Sequence, residues 1–166
     1  MLTLILRISQ LLKNISAYIA TSLLAFLAII LLLQVCLRYI FNYSLSWPEE
    51  ASRYAMIWVV LLIAGVLVRD KELVTVDFFD RIWPQKVIIY RDLAYRILLV
   101  FVLYVLFKEG ISQAIAGWRM RTTALEMRWF WPYLAVPVGA GLMLFQMFCL
   151  SIEEIVQYLA KRKKNE

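Results

Sequence analysis

The stretch that decides the fold is "NISAYIATSLLAFLAIILLLQVCL", residues 14–37, which contains no charged side chain. A helix of about 20 apolar residues crosses a hydrocarbon core of ~30 Å, so this stretch is long enough to span a bilayer. It exceeds the ~7–15 residues of a signal-peptide core, and no small-x-small cleavage site follows it. The sequence therefore predicts a membrane anchor that is retained in the protein.

The rest of the chain has the composition of a membrane protein. Of its 166 residues, 63% are hydrophobic, and the mean hydropathy is +0.74, whereas soluble domains are about 45–50% apolar. Two further uncharged stretches are short, so each must recruit its charged flanks into a helix or form a partial span covered by protein. We predict an all-α membrane protein of one domain, residues 1–166, with four spans at residues 15–37, 51–68, 93–113 and 129–150.

The basic residues predict the orientation of these spans. If both termini are cytoplasmic, twelve of the 18 Lys and Arg residues lie on the cytoplasmic side, as the positive-inside tendency favours. The net charge of +6 is spread over loops and is not predicted to bind nucleic acid. We expect the basic tail, residues 151–166, to contact anionic lipids. The predicted membrane-interface cations are Arg7, Lys13, Lys161, Arg162, Lys163 and Lys164.

Two segments outside the spans are amphipathic. Residues 1–14 place apolar and polar side chains on opposite helical faces, which predicts a helix in the headgroup plane, although the segment could also be the start of the first span. Residues 72–84 show the same pattern and end at Pro84, which predicts a second surface helix with Phe78 and Trp83 in the membrane interface.

The sequence lacks the residues that several kinds of catalytic and metal site require. The chain has no histidine, so bis-histidine haem, a histidine-bearing zinc site and a Ser-His-Asp triad are all excluded. Cys36 and Cys149 fall near the ends of spans that the topology places on opposite sides of the membrane, so they should not pair. No catalytic residue, cofactor or metal site is predicted, and we do not expect an enzyme.

The stretch "SLSWPEEASRYAMIW", residues 44–58, gathers charges at the start of the second span. Ser46 and Glu49 have the spacing of a capping box, and Glu49 and Glu50 could pair with Arg53 one helical turn later. Residues 54–68 cover only ~23 Å, so the helix must draw Arg53 toward the membrane. Ionisable residues at such depth predict a functional or interface role. The predicted set of interface or ion-pair residues is Arg38, Trp47, Glu49, Glu50, Arg53, Trp58, Arg69 and Asp77.

These residues carry a family resemblance. The chain resembles the small membrane subunit of tripartite ATP-independent periplasmic (TRAP) transporters in "RYIF" at 38–41, "SWPEEASRY" at 46–54, "VTVD" at 74–77, "TTALEM" at 122–127 and "YLAVPVGAGLM" at 133–143. The similarity covers most of the chain. One departure is Leu73, where the family often has a histidine.

The resemblance implies a scaffold in a three-protein transporter of the bacterial inner membrane. Its partners would be a large membrane subunit, which holds the substrate and sodium sites, and a periplasmic solute-binding protein. The transported solute would be an organic acid such as a sialic acid or a dicarboxylate. A lateral partner would also satisfy the polar residues in or near the spans, which are Gln34, Lys108, Glu109, Ser112 and Gln113.

Two other functions stay open at this point. An autonomous small transporter or channel would need polar residues arranged as a pathway deep in the spans, and the first and last spans carry no charge. A membrane oxidoreductase would need cysteine pairs or haem ligands.

Overall fold

The computed structural model describes residues 2–43, 45–70 and 85–164, with the backbone alone at residues 2–5, 85–89, 92 and 157–164. Its helices are α1 (Leu2–Ile40), α2 (Trp47–Arg69), α3 (Gln85–Ala116) and α4 (Phe130–Lys164), and a 3₁₀ turn at Gly117–Arg119 follows α3. Each of the four long helices contains a stretch long and apolar enough to cross a membrane. The predicted all-α fold with four spans is confirmed, whereas the orientation and the surface helices remain predictions.

The helices extend beyond the predicted spans. α1 runs without interruption for 39 residues, or ~58 Å at 1.5 Å per residue. Residues 2–14 belong to the same continuous helix as the first span, and whether they lie in the headgroup plane or inside the membrane remains a prediction. α4 likewise continues through the predicted tail to Lys164. The predicted surface helix at residues 72–84 lies outside the described residues.

The helices are arranged as a row in the order α1, α2, α4, α3. α2 packs against α1 and α4, and α4 packs against α3, whereas α1 touches α4 only slightly. Within the described residues, α3 contacts neither α1 nor α2. α4 is consequently the most buried of the four spans, and both broad faces of the row are left uncovered.

Small residues allow α2 and α4 to approach closely. A Cβ added to Gly65 in α2 would collide with the side chain of Leu142, and one added to Gly139 in α4 would lie 2.6 Å from Cβ of Leu61. In a membrane, helices associate through van der Waals packing and not through burial from water, so such close contacts stabilise the pair.

The contact between α3 and α4 is built in the same way. Pro137 lies inside α4, and a Cβ added to Gly110 of α3 would stand 2.9 Å from its Cδ. Ala114, one turn further along α3, is also buried. The inner face of α3 thus offers two small residues to α4.

Ion pairs join each neighbouring pair of helices at one end of the row, which we call the ion-pair end. Lys13 of α1 lies 2.5 Å from Asp70 at the end of α2, and Arg69 of α2 lies 2.9 Å from Glu153 of α4. The third pair joins α3 to α4, where both terminal nitrogens of Arg96 donate to Glu154, at 2.6 and 3.1 Å. These pairs link the helices in the order in which they pack.

A buried polar contact joins α1 to α4. The Ser9 hydroxyl donates to Gln146 Oε1 at 2.5 Å, and Gln146 Nε2 donates to the Ser9 carbonyl at 3.0 Å. Both residues are fully buried, and leaving such groups unpaired in an apolar medium is costly. This contact holds α1 against α4 where the two helices otherwise touch little.

Candidate functional site: the loop end of the helix row

The opposite end of the row, which we call the loop end, is formed by residues 38–54 and 117–133. α2 begins there because Pro48 has the φ angle of a first helical turn and lacks an N–H that would be left unpaired. Glu49 and Glu50 follow in the first turn, where acids favour the helix dipole. The predicted capping box is wrong, because the Ser46 side chain makes no capping hydrogen bond.

Glu50 is the buried centre of the loop end, with only 3% of its surface exposed. Its Oε2 accepts hydrogen bonds from the backbone N–H groups of Ala124 and Leu125, at 2.6 and 2.9 Å. Its Oε1 accepts from the hydroxyl of Tyr54 at 2.7 Å. One carboxylate therefore fixes the α3–α4 loop to the first turn of α2.

The loop itself is closed by a short antiparallel bridge between Arg121 and Arg128. Inside it, the backbone N–H of Thr122 donates to the carbonyl of Met127 at 2.8 Å, and the N–H of Met127 donates to the Thr122 hydroxyl at 3.0 Å. Glu126 takes a φ of 51° at the turn, a left-handed conformation uncommon outside glycine. These bonds hold in place the two backbone N–H groups from which Glu50 accepts hydrogen bonds.

Aromatic rings surround this loop. Tyr54 meets Trp129 edge-on at 5.4 Å between ring centroids, and Trp129 stacks on Tyr133 at 5.5 Å. On the other side, Trp118 meets Phe130 edge-on at 4.9 Å. Tryptophan and tyrosine are enriched where a membrane protein leaves the hydrocarbon region, so we expect one membrane interface at this ring layer.

The end of α1 is tied to the start of α2 by Gln34. Its Nε2 donates to the carbonyl of Leu45 at 3.2 Å and to Glu49 Oε1 at 3.3 Å. Gln34 is 8% exposed. Its polar group is therefore satisfied within the chain, and the lateral partner expected for it from the sequence is not needed.

The structure places Arg53 away from both glutamates. Its side chain is exposed, and it forms no ion pair or hydrogen bond with any residue that the structure describes. It lies at the end of an apolar groove of about 370 Å³ between α1 and α2, which Leu24 and Met56 help to line. The Glu50 carboxylate is stabilised by hydrogen bonds from Tyr54, Ala124 and Leu125 and not by an ion pair with Arg53.

The remaining predicted site residues fall in different places. Arg38 and Trp47 are exposed near the loop end, Trp58 packs on the buried cluster of Ala20, Val59 and Leu62, and Arg69 lies at the ion-pair end. Arg7 is exposed, whereas Lys13 is paired with Asp70. Outside the described residues or side chains lie Asp77, Phe78, Trp83, Lys161, Arg162, Lys163 and Lys164.

Several residues at these contacts were not singled out from the sequence. Tyr54 could have been found, because it stands four residues after Glu50 on the same helical face. Ser9 and Gln146, by contrast, meet across a sequence separation of 137 residues, and no local pattern pairs them. The same holds for Glu50 and the loop at Ala124.

The loop end presents a rigid polar and aromatic surface. Its buried acid already accepts three hydrogen bonds, and Arg128 stacks over the ring of Trp118 at 4.3 Å. Within the described part of the chain, no three His, Cys, Asp or Glu side chains gather as metal ligands would.

Comparison with known proteins agrees with the family resemblance. Residues 27–157 match the family described as "Tripartite ATP-independent periplasmic transporters, DctQ component". Over 118 residues, or 70% of this chain, the sequence is 31% identical to the sialic acid TRAP transporter permease protein SiaT of Haemophilus influenzae (strain 86-028NP). The chain covers 19% of that longer relative. It therefore belongs to the DctQ-component family and is the small, multi-pass membrane subunit of a TRAP transporter.

Proposed function

We propose that the chain is a static scaffold that braces the large membrane subunit and helps to receive a periplasmic solute-binding protein during sodium-coupled uptake of an organic acid. The observation that carries this proposal is the shape of the helix row. Four helices side by side leave both broad faces of the row uncovered, and an ion pair joins each two neighbouring helices. A braced layer of this kind suits lateral contact with a larger membrane protein.

The described polar contacts support a scaffold over an autonomous transporter. The carboxylates of Glu50, Glu153 and Glu154 are already engaged by partners within the chain. The buried pair Ser9 and Gln146 satisfies its own hydrogen bonds. Groups that move a solute or ion must exchange partners during transport, whereas these groups hold the helices together.

The orientation proposed for the chain places the loop end in the periplasm of a bacterial inner membrane. Both termini would then be cytoplasmic, in keeping with the positive-inside tendency. The loop end would face the solute-binding protein, and its exposed arginines, such as Arg119 and Arg121, would be free to contact it. The curated relative is named for sialic acid, which makes sialic acids the first solutes to test.

The proposal is tested by reconstitution into liposomes. Two samples are compared, which are the chain alone and the chain with its cognate large subunit and binding protein. Each is assayed for uptake of radiolabelled sialic acid and of a dicarboxylate, with and without an inward sodium gradient. Uptake should require all three proteins and the gradient. Solute uptake by this chain alone would overturn the scaffold function in favour of an autonomous transporter.

A further inference from the structure

α3 stands at one end of the helix row, so one of its faces is uncovered. Its inner face, with Leu103, Gly110 and Ala114, is buried against α4. Its outer face carries polar residues that are all exposed, and none of them forms a hydrogen bond or ion pair with any described residue. These outer-face residues are Lys108, Glu109, Ser112 and Gln113.

The depth of these residues follows from the two ends of α3. Arg96 belongs to the ion-pair end, and Trp118 belongs to the aromatic layer of the loop end. At 1.5 Å per residue, Lys108 lies ~18 Å from Arg96 and ~15 Å from Trp118 along the helix axis. The whole distance of ~33 Å is close to the ~30 Å of a hydrocarbon core, so Lys108 and Glu109 lie near its middle.

Neither Lys108 nor Glu109 can bring its charge to the membrane surface, and the two do not neutralise each other. The four-carbon stem of a lysine is too short to bring its ammonium to either interface, and the glutamate side chain is shorter still. Adjacent residues point about 100° apart on a helix, so Lys108 and Glu109 do not neutralise each other. Charges exposed to lipid at this depth are costly, and intramembrane charges normally face protein or a water-filled cavity.

The outer face of α3 also has the small residues of a helix-packing surface, which supports contact with another protein. Ser112 and Ala116, both exposed, are small residues four positions apart, the spacing that lets two membrane helices approach closely. The inner face uses this spacing at Gly110 and Ala114, where α4 packs. α3 therefore has a second helix-packing seam, and the described helices leave it empty.

We propose that this outer face of α3 is the docking surface for a membrane-spanning helix of the large subunit. This rests on the proposed function, since it assigns the scaffold a specific contact. Charge complementarity defines the partner, which presents a carboxylate to Lys108 and hydrogen-bond donors to Glu109 at mid-membrane depth. The small side chain of Ser112 lets that helix come close enough to make both contacts.

Photo-crosslinking in the assembled transporter tests the contact directly. A photoreactive residue at Ser112 in the full chain, co-expressed with the large subunit in intact membranes, should yield a crosslink to the large subunit. A crosslink between two copies of this chain, or adducts with lipid only, would overturn the proposal. If the unmodified chain fails to co-purify with the large subunit at all, the proposed scaffold function fails as well, so the two failures are distinguishable.

Substitutions separate docking from folding. Glu109→Lys and Ser112→Leu change only exposed positions, so the melting temperature of the isolated chain in detergent should not change. Recovery of the large subunit on the tagged chain should nevertheless fall at least about tenfold. Ala114→Leu is the matched control, because this buried position faces α4 and its substitution should lower the melting temperature of the isolated chain. Undiminished recovery with Glu109→Lys and Ser112→Leu would contradict the docking surface.

Discussion

At the scale of single residues, two adjacent acids have opposite roles. Glu49 is exposed and accepts one long hydrogen bond, at 3.3 Å from Gln34. Glu50 is buried and accepts three hydrogen bonds, two of them from the backbone of a loop 74 and 75 residues away in sequence. Only a carboxylate provides enough acceptor positions for three donors at once. Glu50 is thus the residue on which the geometry of the loop end depends.

We therefore expect Glu50→Ala to release the α3–α4 loop, because two backbone N–H groups lose their acceptor. The readouts are the melting temperature in detergent and the rate at which a cysteine placed at Thr122, whose side chain is buried, reacts with a thiol reagent. Glu50→Ala should lower the first and raise the second. Glu49→Ala is the matched control and should change both far less. Equal effects of the two substitutions would contradict the anchoring role.

The same geometry makes a prediction about Arg53. If Glu50 formed an ion pair with Arg53, then exchanging the two charges would restore what each single substitution loses. The hydrogen bonds to Glu50 come from other groups, so the double variant Glu50→Arg, Arg53→Glu should be no more stable than Glu50→Arg alone. A double-mutant cycle on the melting temperature measures this, and rescue by the exchange would show that the two side chains interact.

At the scale of helices, close contact between α2 and α4 holds the middle of the row. We expect Gly139→Ala to destabilise the chain by about 1–3 kcal/mol, because its new Cβ would stand 2.6 Å from Cβ of Leu61. Gly141→Ala in the same helix meets only the ring of Phe107, at 3.1 Å and beyond, and should cost less. Chemical unfolding in detergent gives both values, and a milder effect at Gly139 would contradict this packing.

The ion pairs at the ion-pair end of the row should differ in strength. Arg69 and Glu153 are 11% and 30% exposed, whereas Lys13 and Asp70 are 22% and 36% exposed. Water screens exposed pairs, which contribute about 0.2–1 kcal/mol. Double-mutant cycles with alanine should therefore give a larger coupling for Arg69 and Glu153 than for Lys13 and Asp70. Coupling in the reverse order would mean that burial does not set the strength of these pairs.

At the scale of the whole molecule, the row has two distinct ends, and labelling can show which side of the membrane each faces. With Cys36 replaced by serine, cysteines at Phe41 and Thr123 should react with an impermeant thiol reagent in intact cells. The first cysteine is placed at Phe41 and not at Asn42 because the Asn42 φ of 51° does not suit cysteine. The second is placed at Thr123 and not at Thr122 because the Thr122 side chain is buried. Protection of both cysteines until the cells are permeabilised would reverse the proposed orientation.

The sequence by itself determined that the chain is all-helical and has four stretches long and apolar enough to cross a membrane. This was possible because a bilayer of fixed thickness demands about 20 apolar residues in one uninterrupted stretch, such as residues 14–37, and hydropathy is a local property of the chain. It also placed charges and aromatics at residues 44–58, where the loop end begins. The family resemblance rested on the same local motifs.

Only the tertiary structure decided the order of the helices and the partners of the buried polar groups. Lipid tails are as apolar as leucine, so hydropathy does not reveal which apolar face of α2 packs on α4. The acceptor role of Glu50 depends on a loop far along the chain, and Ser9 finds Gln146 only because α1 crosses α4. Such contacts arise from the three-dimensional meeting of distant segments, which no local pattern encodes.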